Sequence, residues 1–246
     1  AFGPQSRVVG DAADTLTRLA ARLRDRESAA TQGWGDPLRE RFARHREEQA
    51  SSDAFPIKPQ RLLHDLRDAM AADGILVSDV GAHKVWIAHQ WPTLAPNTCI
   101  ISNGFAAMGI GLPGAIAAKL AFPERVVITA TGDAGFLMNS QELETALRLG
   151  LALVVLVWND NGYGLIEWHQ QKKFGRSNDV AFGNPDLVAF AESFGARGFR
   201  VTSASGLAPT LRAAIDCGTV AVVDCPVDYS ENIRLTERLG ELTCSD

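Results

Sequence analysis

The chain contains no long hydrophobic run. Its longest unbroken apolar stretch, Leu151–Trp158, falls far short of the roughly 20 residues that a membrane helix needs. The opening AFGPQSRVVGD has no charged segment followed by an apolar one, so no secretory signal is expected. Cysteine is scarce: Cys99, Cys217, Cys225 and Cys244 form no CxxC pair, and they are too few and too scattered for a disulfide scaffold or a zinc site. The expectation is a cytoplasmic protein with reduced thiols. An excess of basic residues is also lacking. Lys and Arg number 24 against 29 Asp and Glu, a net charge of -5, whereas a general nucleic-acid binder needs a basic surface to displace counterions. Neither nucleic acid nor a membrane is expected as a partner. What is present is a chain of 246 residues, 46% apolar and 22% charged. That is enough for a sizeable core and argues against wholesale disorder.

The first 55 residues differ from the rest. Arg7–Val9 reads as a strand end. Asp11 reads as an N-cap before a helix carrying Leu16, Leu19, Ala20 and Leu23 at helical spacing. From Arg24 to Asp53 the chain is crowded with charge and reads as a solvated helix flanked by loop. From Ile57 onward helices and short apolar runs alternate. Strands are expected at 75–79, 98–101, 125–131, 151–158, 196–202 and 219–224. Between them lie helices that include Ala106–Phe122, kinked at Pro113, one opened by a capping box of Asn139 and Glu142, and one opened by Asn184-Pro185. The predicted fold class is α/β: a doubly wound, mostly parallel six-stranded sheet with helices on both faces. Such sheets bind ligands at the carboxyl ends of their strands.

Three of those strands run into turns rich in glycine and aspartate: Ser78-Asp79-Val80-Gly81-Ala82-His83, Gly132-Asp133-Ala134-Gly135 and Asn159-Asp160-Asn161-Gly162-Tyr163-Gly164. In a parallel sheet all three lie at one edge. A strand–helix–strand unit separates Asp133 from Asp160 and returns the chain to that edge, so the two carboxylates can meet. Paired carboxylates beside glycine turns suit a hard divalent cation such as magnesium, which takes oxygen ligands from carboxylates and phosphates. Gly135, at a helix start, lets backbone N–H groups approach a phosphate.

The Gly132-Asp133-Ala134 and Asn159-Asp160-Asn161 pair resembles the GDG…NN signature of thiamine-diphosphate enzymes. The stretch GDAGFLMNSQELETALRLGLALVVLVWNDNGYG looks like the acetolactate synthase branch, and most like its catabolic type. SDVGAHKVW, ISNGFAAMGIGLPGAIAAKL and AFGNPDLVAFAESFGARGF extend the likeness. The resemblance implies that 57–230 is the domain that binds the diphosphate and Mg2+. It implies further that 1–26 is the end of a preceding central domain, 27–56 a linker and 231–246 a tail. The family's pyrimidine-binding domain, which carries the activating glutamate, has no counterpart here, so the chain is expected to be a piece of something longer.

By the same resemblance Asp133, Asp160 and Gly162 would bind the magnesium, Gly162 through its carbonyl. Gly132, Ala134, Gly135 and Asn161 would surround the diphosphate, and Gly81, Ala82 and His83 would approach it from the first turn. Met108 would sit under the cofactor, and Leu165 and Ile166 would face the substrate. The implied activity is decarboxylation of pyruvate and its condensation with a second pyruvate to give 2-acetolactate, in a homo-oligomer. The alternatives are another thiamine-diphosphate carboligase or 2-oxoacid decarboxylase, or a catalytically silent domain of the same fold. Two departures stand out. Ala134 replaces a glycine, which is tolerable only at φ < 0, and Asp160 replaces an asparagine, a change that favours the catabolic branch. Gly109, Gly111 and Gly114 formally match a dinucleotide fingerprint, but no clean strand precedes them, and close helix packing explains them better. An apolar patch around Ala106–Leu112, normally covered in an oligomer, is also expected.

Overall fold

The computed structural model describes residues 7–24, 35–47, 50–232 and 235. Most of the expected C-terminal tail and part of the expected linker lie outside them. The chain divides into two compact units, Ala1–Ala43 and Arg44–Asp246. In the first, helix α1 (Ala12–Leu23) starts where predicted: the Asp11 side chain accepts from Asp14 N at 2.9 Å, satisfying one of the amides that a helix start leaves free. Residues 7–9 form no strand, since two valines without a neighbour to pair with have no ladder to join. Helix α2 (Asp36–Glu47) falls within the charged stretch.

The second unit continues with α3 (Pro59–Ala69), β1 (Ile75–Ser78), α4 (Ala82–Gln90), β2 (Cys99–Ile101), α5 (Gly111–Ala121), β3 (Val127–Gly132), α6 (Asp133–Met138) and α7 (Glu142–Arg148). It is completed by β4 (Val154–Asn159), α8 (Gly164–Phe174), α9 (Leu187–Ser193), β5 (Arg197–Arg200), α10 (Ala204–Ile215) and β6 (Ala221–Pro226). The six strands form one sheet in the order β2-β1-β3-β4-β6-β5, every pairing parallel. The period-2 alternation of side chains sorts the core into two layers. Leu76, Ile128, Leu156 and Val223 pack with Leu62 of α3, Trp86 of α4 and Leu211 of α10. Val77, Val127, Val155 and Val222 pack with Ile116 of α5, Leu143 of α7 and Leu187 of α9. Both faces are therefore covered by helices. This explains why the strands read as continuous apolar runs rather than as alternating ones.

From β1 the chain moves outward to β2, then returns across β1 to lay down β3 and continues away to β4. The crevice beyond the carboxyl ends of β1 and β3 is thus a topological switch point, the usual ligand position in such sheets.

Several local expectations are corrected. The helix expected over Ala106–Phe122 begins only at Gly111, because Ala106 (φ 54°) and Gly109 (φ 89°) both adopt left-handed backbone that a helix cannot contain. Pro113 therefore falls in the first turn, where its missing N–H costs no helix bond, and it does not kink the helix. Asn139 does not cap α7; its amide turns instead to the carbonyl of Gly109 at 2.8 Å. The N-cap of α9 is Asp186, accepting from Val188 N and Ala189 N, rather than Asn184, whose side chain is committed elsewhere. The apolar patch is displaced as well: Leu112 is buried, while Phe105 and Ile110 are exposed.

Candidate functional site

The three strand-end turns meet at the switch point around a cavity of about 240 Å³. From the turn after β1, Gly81, Ala82 and His83 line it. From the turn after β3 come Gly132, Asp133, Ala134 and Gly135, and from the turn after β4 come Asp160 and Gly162. Leu165 and Ile166, on the first turn of α8, close one side, and Met108, in the loop before α5, forms another part of the wall. Asn161 is the one expected site residue that does not line the cavity. It adopts a left-handed backbone (φ 55°), and its side-chain oxygen accepts from Asn184 at 3.1 Å.

The two acidic turns are built differently. Asp133 is the first residue of α6 and is buried. One of its carboxylate oxygens accepts from Ala134 N at 2.8 Å and the other from the Asn184 amide at 2.7 Å. Burial still raises its pKa above the ordinary carboxylate range. Asp160 is pushed up to about 7, by burial first and by the neighbouring Asp133 carboxylate second. Burial and a second carboxylate nearby both favour the protonated form. The 159–164 turn is fixed by backbone bonds to the following segment: Tyr163 N to Val180 O at 2.8 Å and Phe182 N to Asn161 O at 3.0 Å. Ala134 sits inside α6 at φ < 0, so the alanine in place of a glycine carries no backbone strain.

His83 is buried with its Nε2 unpartnered. Burial above all lowers its pKa to about 4, so the ring is neutral. Gly81 is required for space and not for backbone freedom. Its φ of 165° is ordinary extended backbone, but a Cβ there would stand 2.7 Å from His83 Cε1.

The sequence reading missed several contributors. Asn184, read as a helix opener, bridges Asp133, Asn159 and Asn161. Gly164, read as part of a turn, must lack a side chain because a Cβ there would run into the Asp160 carboxylate. Asp79, noted only as turn chemistry, is fully buried and accepts from Val80 N, Gly109 N and the Thr131 hydroxyl. Tyr229, which follows β6, also lines the cavity and stacks on Trp158. Glycine at 164 and the polar residue before Pro185 were visible as letters. The partners of Asn184 lie at the ends of β3 and β4, far away in sequence, and the crowding of Gly164 by Asp160 depends on how their shared turn folds back on itself.

Residues 79–225, which span all three turns and the sheet, match the family described as thiamine pyrophosphate enzyme, C-terminal TPP binding domain. The chain belongs to this family. It is similar to the catabolic acetolactate synthase of Raoultella terrigena, 41% identical over 97% of this chain and 43% of that protein. It is also similar to the acetolactate synthase of Bacillus subtilis, 40% identical over 80% of this chain and 36% of that protein. The chain thus spans about two-fifths of the length of these relatives. Among solved structures, the thiamine diphosphate-dependent 4-hydroxybenzoylformate decarboxylase of Rhodococcus jostii RHA1 superposes with a TM-score of 0.66 over 71% of this chain and 33% of that one. At 22% identity the likeness establishes a shared fold. No helix among the described residues is long and apolar enough to cross a membrane.

Proposed function

We propose that 57–230 anchors thiamine diphosphate and Mg2+ in an acetolactate synthase of catabolic type, which decarboxylates pyruvate and joins the product to a second pyruvate in a homo-oligomer. The observation that carries the reading is the Asp133–Asp160 pair. A buried carboxyl and a half-buried one at one sheet edge, the second pushed to about 7, are what a divalent cation would relieve. Among the described residues no group of three or more His, Cys, Asp or Glu could hold a metal. The proposed ligand set is accordingly two carboxylates and the Gly162 carbonyl, with phosphate oxygens supplying the remainder, as suits magnesium.

The residues present fit the cofactor. Gly132, Ala134 and Gly135 would bring backbone close to the diphosphate, at the start of α6, where the Ala134 N–H is already accepted by Asp133. Asn161 holds the metal turn in shape from outside the cavity. Gly81 and Ala82 leave room on the β1 side, where the His83 ring forms part of the wall. Met108 would support the cofactor, while Leu165 and Ile166 would give the cavity an apolar wall that keeps water away from it. When bound, thiamine diphosphate supplies the carbon nucleophile and the electron sink that cleavage of a 2-oxo acid requires. The chain's own part is to bind, orient and desolvate.

The test is Asp133→Ala in the assembled enzyme, read by magnesium-dependent binding of thiamine diphosphate and by acetolactate formation from pyruvate. Both are expected to be lost. Wild-type binding by the variant would overturn the metal assignment. Release of carbon dioxide from pyruvate without acetolactate in the wild type would make the protein a decarboxylase instead.

A further inference from the structure

The loop from β2 to α5 carries Met108 into the cavity, yet little regular structure supports it. Ala106 and Gly109, on either side of Met108, are both left-handed, and Phe105 is fully exposed. The Lys84 ammonium ties the start of the loop through the Ser102 carbonyl at 3.0 Å. Next to Met108 itself the loop is held at a single residue. The Gly109 N–H donates to both carboxylate oxygens of Asp79, at 2.9 and 3.1 Å. The Gly109 carbonyl accepts from the Asn139 amide at 2.8 Å.

These two side chains come from different parts of the fold, Asp79 from the end of β1 and Asn139 from the end of α6. Asp79 is itself immobilised: it is fully buried, and Thr131 Oγ1 at the end of β3 donates to it at 2.8 Å. Glycines clear the space around this arrangement. A Cβ at Gly109 would stand 2.7 Å from Asn139 Nδ2, and one at Gly135 would stand 2.8 Å from Asp79 Oδ2.

We propose that Asp79 and Asn139 are positioning residues: by gripping Gly109 at its N–H and its carbonyl they set the place of Met108 in the cavity, and with it the shape in which the cofactor is held. The second half of this statement rests on the function proposed above; the first half does not. A side chain that shapes the cofactor without anchoring its diphosphate contributes to turnover far more than to affinity.

The experiment uses Asn139→Ala and the near-isosteric Asn139→Asp, which removes the donor without opening a void. In the first arm, amide hydrogen exchange is measured on the unliganded protein. Exchange in peptides covering 103–112 is expected to rise by about tenfold, as befits loss of one side-chain clamp, while 127–132 and 154–159 stay protected. Unchanged exchange at 103–112 in both variants would overturn the clamp. In the second arm, the assembled enzyme is titrated with thiamine diphosphate and magnesium and then assayed. Affinity is expected to stay near wild type while kcat falls by about tenfold or more. An equal loss in both quantities would overturn the positioning role. Failure of the wild-type enzyme to bind thiamine diphosphate would sink the proposed function and leave the exchange arm to decide the clamp.

Discussion

The carboxamide nitrogen of Asn184 stands 2.7 Å from Oδ2 of Asp133 and 3.1 Å from the side-chain oxygens of both Asn159 and Asn161. One amide with two hydrogens thus gathers three oxygens from the two acidic turns. The contact continues outward: Asn159 donates to Asp224, and Arg200 donates to both Asp224 and Asp186. Partners that orient a metal-binding carboxylate typically contribute 10–100-fold to affinity. Asn184→Ala is therefore expected to weaken magnesium binding by roughly that factor while the melting temperature stays close to wild type. Isothermal titration with magnesium at saturating thiamine diphosphate measures it, and an unchanged affinity would show that Asp133 needs no such support.

Asp160 gives the metal-free protein a definite pH dependence. Its pKa is about 7 in the folded chain against an ordinary 3.8, so the folded state holds the proton more tightly than the unfolded one. Stability from this group is present in acid and is lost as pH rises through the window between those values. With chelator present, the melting temperature of the wild type is expected to fall from pH 5 to pH 8 relative to that of Asp160→Asn. Magnesium should recover it most at the upper end, because the metal needs the ionised carboxylate. Parallel melting curves for the two proteins across this range would count against a raised Asp160 pKa.

Two small substitutions separate backbone strain from crowding. Ala134 lies in α6 at φ < 0, so Ala134→Gly is expected to leave cofactor affinity nearly unchanged and to cost roughly 0.5–1 kcal/mol of stability. At Gly164 the added Cβ would collide with the Asp160 carboxylate, so Gly164→Ala should displace that ligand and weaken magnesium binding by about tenfold or more. Chemical denaturation and metal titration of both variants check the pair. A stronger loss of metal affinity at 134 than at 164 would reverse the assignment.

How far the sequence was legible follows from the range of each interaction. Apolar runs such as 151–158 revealed the strands because burial on both faces demands it locally. The glycine-aspartate turns revealed the site because a parallel sheet places all such turns on one edge. The extent of α5 was misread because Ala106 looks like a helix former, and only its φ of 54° shows that the backbone is bent into the cavity. Asn139 and Asn184 were read as helix starters for a related reason. Asparagine favours local backbone bonds as a rule, and here tertiary partners, the Gly109 carbonyl and the Asp133 carboxylate, outcompete them.

The last expectation concerns this chain on its own. It spans 43% and 36% of the two acetolactate synthases described above, and on the function proposed above its cavity would hold one end of the cofactor, through metal, diphosphate and Met108. A ligand clamped at one end loses the contacts that would offset its ordering elsewhere, so affinity drops steeply. Thiamine diphosphate binding by the chain alone is expected to be weak or undetectable, and pyruvate turnover absent. Phe105 and Ile110, in the cavity loop itself, remain exposed, and an apolar surface of that kind promotes self-association. The measurement is acetolactate and carbon dioxide production from pyruvate at saturating cofactor and magnesium, with sedimentation run alongside. Turnover at ordinary enzyme rates, on the order of 1–10³ s⁻¹, would mean that the chain supplies its own activating acid. In that case the division of labour proposed here, with this chain as anchor, would be wrong.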